Sequence, residues 1–170
     1  ALMLSPDDQQ LAAGCGNQVI VNNFSGKISI ITKLSGHRDA VQSIAWSPDG
    51  KLLATGGFRK VNLWKTANWL LVGEINELPG RVTALTFSLD GRSLISASNA
   101  SGQKGKISIW NSENLDKRLE WSAHDGTIYD ITLSPDGEKL ATGGEDKLIR
   151  LWGLVDGKQL KQIEAHSAPV

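Results

Sequence analysis

The chain has 170 residues, 40% of them hydrophobic, and 18 Lys and Arg balance 18 Asp and Glu for a formal charge of zero. That hydrophobic fraction is well above the range of disordered segments and predicts a buried core, while zero charge removes the global attraction that non-specific nucleic-acid or membrane-surface binding needs. A single cysteine, Cys15, excludes an internal disulfide and a multi-cysteine zinc site, and no apolar run reaches the roughly 18 residues of a membrane-spanning helix.

From the N-terminus, Ala1 to Asp8 lack the basic and apolar regions of a signal peptide. They include Ser5-Pro6-Asp7-Asp8, the first of four related turn sequences; the others are Ser47-Pro48-Asp49-Gly50, Ser88-Leu89-Asp90-Gly91 and Ser134-Pro135-Asp136-Gly137, a period of about 42 residues. Behind each comes an apolar stretch ending in small residues: Leu11-Ala12-Ala13-Gly14, Leu53-Ala54-Thr55-Gly56, Ile95-Ser96-Ala97-Ser98 and Leu140-Ala141-Thr142-Gly143. A further stretch follows, Val19-Ile20-Val21-Asn22 in the first copy, then Val61-Asn62-Leu63-Trp64, Ile107-Ser108-Ile109-Trp110 and Ile149-Arg150-Leu151-Trp152. His37, His124 and His166 each precede a unit. In the second copy, segments 40–46, 51–56, 61–64 and 69–75 read as four strands. Short apolar runs between Gly, Pro, Asn and Asp predict antiparallel strands joined by tight turns, and no stretch carries a capped helical period. The predicted class is all-β.

The order histidine, strand, Ser-Pro-Asp-Gly, strand ending in Thr-Gly-Gly, acidic turn, strand ending in Leu-Trp resembles the WD-repeat family of β-propellers over nearly the whole chain. That resemblance implies blades of four antiparallel strands around a channel, here 1–35, 36–77, 78–122 and 123–165, with 166–170 beginning another. Four blades would form an open arc of a ring of about seven. Closure would come from further blades of the same chain, from a second copy, or from a self-closed four-bladed ring.

The fourth copy holds His124, Thr142, Asp146 and Trp152, which the resemblance implies form a structural hydrogen-bonded tetrad. The chemistry suits it: a buried indole N–H needs an acceptor, and a hydroxyl can accept from it while donating to an imidazole. Read as an enzyme, His124, Thr142 and Asp146 would be a base, nucleophile and acid, but their repeat-equivalent positions favour a structural role. The second copy keeps His37, Thr55 and Trp64 as a partial tetrad, with Gly57-Phe58-Arg59-Lys60 where the acidic turn would be. The third has Leu78 for histidine, and Ala97 is expected at its hydroxyl position, so apolar packing should replace the polar set there. The first has Ala13 and Asn22 at the hydroxyl and tryptophan positions.

Candidate binding residues lie where the copies differ. The third copy carries an insertion at 99–106 that includes Gln103 and Lys104, expected as a loop on the top face. Arg38, Asp39, Arg59, Arg81, Asp125 and Tyr129 flank the innermost strands and outline a mixed-charge protein-binding rim, with arginine and tyrosine suited to hot spots. Trp69 and Trp121 are assigned to outermost strands, packed on a neighbouring blade, and Cys15 to a buried position. Three histidines one period apart do not converge on a metal, and no cofactor or catalytic residue is expected. Asn23-Phe24-Ser25 and Asn99-Ala100-Ser101 are chance glycosylation tripeptides. The function expected is a non-catalytic protein-binding scaffold, with no nucleic-acid or membrane partner. The alternative is an accessory propeller of a larger bacterial protein, from a similarity of the irregular turns to propellers fused to c-type cytochrome domains; no Cys-x-x-Cys-His haem motif is present.

Overall fold

The computed structural model describes residues 1–25 and 27–164, with the backbone alone at Glu77. His166 and the start of a further blade at 166–170 lie outside the described residues. Fifteen strands among the described residues form three antiparallel sheets. The first holds β1 (Leu2–Leu4), β2 (Gln10–Cys15), β3 (Gln18–Asn23) and β4 (Ser29–Ser35) in that order. The last holds β12 (Ile128–Leu133), β13 (Lys139–Gly144), β14 (Leu148–Gly153) and β15 (Gln159–Glu164), again in chain order.

The recurrent turn has a local cause. In the second copy the Ser47 hydroxyl donates to Asp49 Oδ1 at 2.7 Å and accepts the Leu52 amide at 2.9 Å, while Asp49 Oδ1 also accepts the Lys51 amide at 3.0 Å. Matching serine–aspartate bonds close the turns at Ser5, Ser88 and Ser134. These bonds, the serine's foremost, hold all four carboxyls below their ordinary range. The fourth turn residue is left-handed, with φ 70° at Gly50, 71° at Gly91 and 73° at Gly137, where glycine meets no Cβ penalty; Asp8 takes φ 57° in the first copy.

The two central blades differ from the expected separate quartets. β5 (Ser43–Trp46), β6 (Leu52–Gly56), β7 (Phe58–Lys65), β8 (Leu70–Phe87), β9 (Ser93–Asn99), β10 (Gly105–Asn111) and β11 (Lys117–His124) form one seven-stranded sheet. The 18-residue β8 is shared: its first half pairs with β7 as the outermost strand of the second blade, and its second half pairs with β9 as the innermost strand of the third. Three residues keep it extended. Leu78, at the histidine position, is buried at 2% exposure; Pro79 fixes its own φ; and Gly80 runs so close to the Asn99 carbonyl that any Cβ there would collide with it.

Each core lies between blades. Val19, Val21 and Leu34 of the first blade meet Ile44, Trp46, Leu53 and Trp64 of the second. Val61, Leu63 and Ile75 meet Val82, Phe87 and Trp110. Ile95, Ile107 and Ile109 meet Ile128, Leu140 and Trp152. The arc is open, leaving Leu2, Met3 and Leu4 exposed at one end and Leu160 and Ile163 at the other. Trp121 lies in β11 and packs across onto Trp152 with ring centroids 5.7 Å apart. Trp69 departs from its assignment to a strand: it occupies the turn before β8 with φ 59° and meets Trp46 edge-on at 6.0 Å. Cys15, expected to be buried, is exposed, because it ends β2 beside the Gly16-Asn17 hairpin tip and pairs with Gln18 across it.

Candidate functional site

Beneath the upper face of the fourth blade, one hydrogen-bonded chain links three strands and a turn. Trp152 Nε1 donates to Thr142 Oγ1 at 3.0 Å, the Thr142 hydroxyl meets His124 Nε2 at 2.6 Å, and His124 Nδ1 lies 2.7 Å from Asp146 Oδ1. Because the threonine oxygen accepts from the indole, its own proton is free for Nε2, which leaves Nδ1–H to donate to the carboxylate. Arg150 Nη1 lies 2.6 Å from Asp146 Oδ2. Burial would raise the Asp146 pKa, but hydrogen bonds from His124 and Arg150 outweigh it and hold the carboxyl at about 2. Burial lowers His124, against the opposing pull of Asp146. Thr142 is 1% exposed, and its hydroxyl, between the Trp152 indole and the His124 ring, joins β13 to β14 and β11.

The second blade carries a shortened version. His37 Nε2 meets Thr55 Oγ1 at 2.8 Å and Trp64 Nε1 donates to the same oxygen at 3.0 Å. Its β6–β7 turn carries Arg59 and Lys60 where the β13–β14 turn carries Asp146, and His37 Nδ1 is buried without a hydrogen-bond partner among the described residues. Burial, then the Lys60 ammonium, lowers His37 to about 4. That ammonium lies 2.6 Å from Glu74 Oε1.

The third blade corrects the expectation of apolar replacement. Trp110 Nε1 donates to Ser96 Oγ at 2.9 Å, and Ser96, not Ala97, is the counterpart of Thr55 and Thr142. The register shows why: Leu94, Leu53 and Leu140 each pair with the strand's tryptophan, and the hydroxyl follows two residues later. Counting eight residues on from each turn serine would have found it in the sequence.

On the face opposite the Ser-Pro-Asp-Gly turns, Arg59, Arg81, Gln103, Lys104, Asp125 and Tyr129 line one groove of about 1120 Å³ spanning the second, third and fourth blades. Arg38 and Asp39 are exposed in the loop before β5 and lie outside it. Arg81 owes its place to β8: it pairs with Phe58 of β7 on one side and Asn99 of β9 on the other. Arg59 occupies a two-residue hairpin tip closed by a 2.9 Å bond from the Gly57 amide to the Lys60 carbonyl. Its φ is 58°, a left-handed conformation unusual for a side chain of this size, and its Nε donates to the Leu78 carbonyl at 3.2 Å. The insertion is a loop over residues 100–104, since β9 runs to Asn99 and β10 starts at Gly105. Asn99 Nδ2 anchors it to the fourth blade through Thr127 Oγ1 at 3.0 Å, and Lys104 reaches Asp125 at 3.1 Å across open solvent. Among the lining residues that escaped the sequence reading are Phe58, Pro79 and Glu145. Phe58, 53% exposed in a tight turn, and Pro79 inside a strand are each locally anomalous and could have been flagged; Glu145 carried no signal. Among the described residues no three His, Cys, Asp or Glu side chains are grouped to hold a metal ion.

Blades tied internally by tryptophan-to-hydroxyl bonds and packed face to face define a repeat-built β-propeller segment. The WD domain, G-beta repeat family matches residues 28–65, 72–111 and 116–153, and the chain belongs to this family. It is 32% identical over 162 residues to the WD repeat-containing protein slp1 of Schizosaccharomyces pombe, a match covering 92% of this chain and 33% of that protein. It is 31% identical over 158 residues to Protein FIZZY-RELATED 3 of Arabidopsis thaliana, covering 90% of this chain and 32% of that one. With the APC/C activator protein CDH1 of Saccharomyces cerevisiae the identity is 28% over 160 residues, 91% of this chain and 27% of that protein. The chain thus spans about a third of the length of these relatives. They lend no support to the likeness with cytochrome-linked propellers.

Proposed function

We infer that the chain is a non-catalytic protein-interaction scaffold that engages its partner through the groove on its upper face. The observation that carries this reading is the convergence of Arg59, Arg81, Tyr129 and the 100–104 loop, from three blades, on one concave surface. The platform beneath is held by the blade cores, the fourth-blade tetrad and the second blade's shortened set before any partner arrives, so binding costs little ordering entropy. The buried His124–Thr142–Asp146 set belongs to that platform in our reading, as a structural tetrad. Membership of the WD-repeat family and the name APC/C activator borne by the yeast relative support the adaptor class. That relative carries its function on a chain far longer than this one, so the class is extended here and the named complex is not.

Affinity capture with the chain, compared with Arg81→Glu and Tyr129→Ala and with Glu113→Lys on the opposite face, tests the reading. A protein retained by the wild type and Glu113→Lys, but lost from the two groove variants at unchanged melting temperature, is the expected result. Retention of every partner by both groove variants would sink it.

A further inference from the structure

Resting on the groove as the binding face, we propose that its occupant is an extended acidic peptide segment with an apolar or aromatic side chain between its carboxylates. The groove is electrostatically uneven. Its Lys104–Asp125 pair is internally neutral, and Glu145 already accepts the Thr127 amide at 2.9 Å on the fourth-blade wall. Arg59 and Arg81, on the opposite wall, have no carboxylate partner among the described residues. Their guanidiniums, Arg59 at the β6–β7 tip and Arg81 within β8, present planar donor forks that match carboxylates bidentately. Phe58, paired with Arg81, and Tyr129, on the facing fourth-blade wall, stand 53% and 46% exposed, and Pro79 lines the same groove, giving apolar surface for an intervening side chain.

The backbone supports a binding role for Arg59 in particular. A left-handed tip is the position where glycine or asparagine folds most easily, yet an arginine stands there at φ 58°. The side chain gives its Nε to the Leu78 carbonyl and lines the groove with the rest of its guanidinium. The volume, about 1120 Å³, exceeds the range of small-molecule pockets and suits a peptide segment. Two unpaired cations are too few for nucleic-acid binding, which is built on many phosphate contacts.

Fluorescence anisotropy tests this, using the chain and a labelled Asp-Glu-Phe-Asp-Glu peptide, its amide counterpart Asn-Gln-Phe-Asn-Gln, and Asp-Glu-Ala-Asp-Glu. The acidic aromatic peptide should bind at least tenfold more tightly than either control and weaken severalfold as salt rises from about 50 to 200 mM. Arg81→Glu and Arg59→Gly should each cost at least tenfold, with the melting temperature of Arg59→Gly held near the wild type, because relief of the left-handed tip offsets the lost bond to the Leu78 carbonyl. No binding of the acidic peptide, or equal binding of the amide peptide, overturns the proposal. If in that case Tyr129→Ala still weakens whichever peptide binds, the groove stands as a protein-binding face; if no groove variant affects any peptide, that reading falls too. Competition by a single-stranded oligonucleotide of matched charge at equal concentration would reassign the groove to nucleic acid.

Discussion

His37 offers the sharpest test of the blade chemistry. In the folded chain its pKa is lowered to about 4 from the ordinary 6.5, by burial first and the Lys60 ammonium second. Between those values the unfolded chain binds a proton that the folded chain refuses. The stability linked to His37 is therefore fully present above about pH 6.5 and is lost as pH falls toward 4, a total of about 3 kcal/mol and about 2 kcal/mol by pH 5. Replacing it with leucine is structurally modest, since Leu78 occupies the equivalent position of the third blade, buried at 2% exposure. Urea denaturation of the wild type and His37→Leu at pH 7 and pH 5 isolates the effect, because His124 is common to both and cancels in the comparison. The variant should lose about 2 kcal/mol less than the wild type between the two pH values. Equal losses in both proteins would refute the assignment of a neutral, unprotonatable His37.

Three further outcomes follow from the same packing. Trp152→Ala removes a 5%-exposed indole that meets both Thr142 and Trp121, and should cost about 3–5 kcal/mol in chemical denaturation. Ser96→Ala strands the buried Trp110 N–H and should cost about 1–3 kcal/mol; a negligible loss would return the third blade to pure packing. Gly80→Ala forces a methyl against the Asn99 carbonyl, so β8 should part locally from β9, seen as faster amide exchange across the Arg81–Asn99 pair than in the first-blade strands.

Repeat architecture was legible because its signals are local. Ser-x-Asp-Gly closes its own turn with its own side chains, and a tryptophan two residues out of step with a hydroxyl across the ladder finds it by register alone. The polar chain at His124 was readable through the resemblance to WD repeats, which implies those four positions. What escaped depends on the surroundings. Ile95-Ser96-Ala97-Ser98 offers a hydroxyl on either side of Ala97, and only the pairing of Leu94 with Trp110 decides which one faces inward. Cys15 looks like strand interior until the two-residue hairpin places it at a tip. Pro79-Gly80 reads as a turn by composition, yet contact with Asn99 holds it extended. The candidate rim was legible as a set of side-chain types, but the exclusion of Arg38 and the inclusion of Phe58 follow from how β7, β8 and the 100–104 loop meet.

The shared strand β8 has a mechanical consequence. Elsewhere among the described residues the blades are joined by short connections, 36–42 and 125–127, that lie outside the strands. Between the second and third blades the handover is itself a hydrogen-bonded strand, so a pull or a twist on one of them is delivered to the other along covalent backbone and ladder together. Arg81 sits at the splice. A ligand that grips this residue touches a strand that belongs to both plates at once.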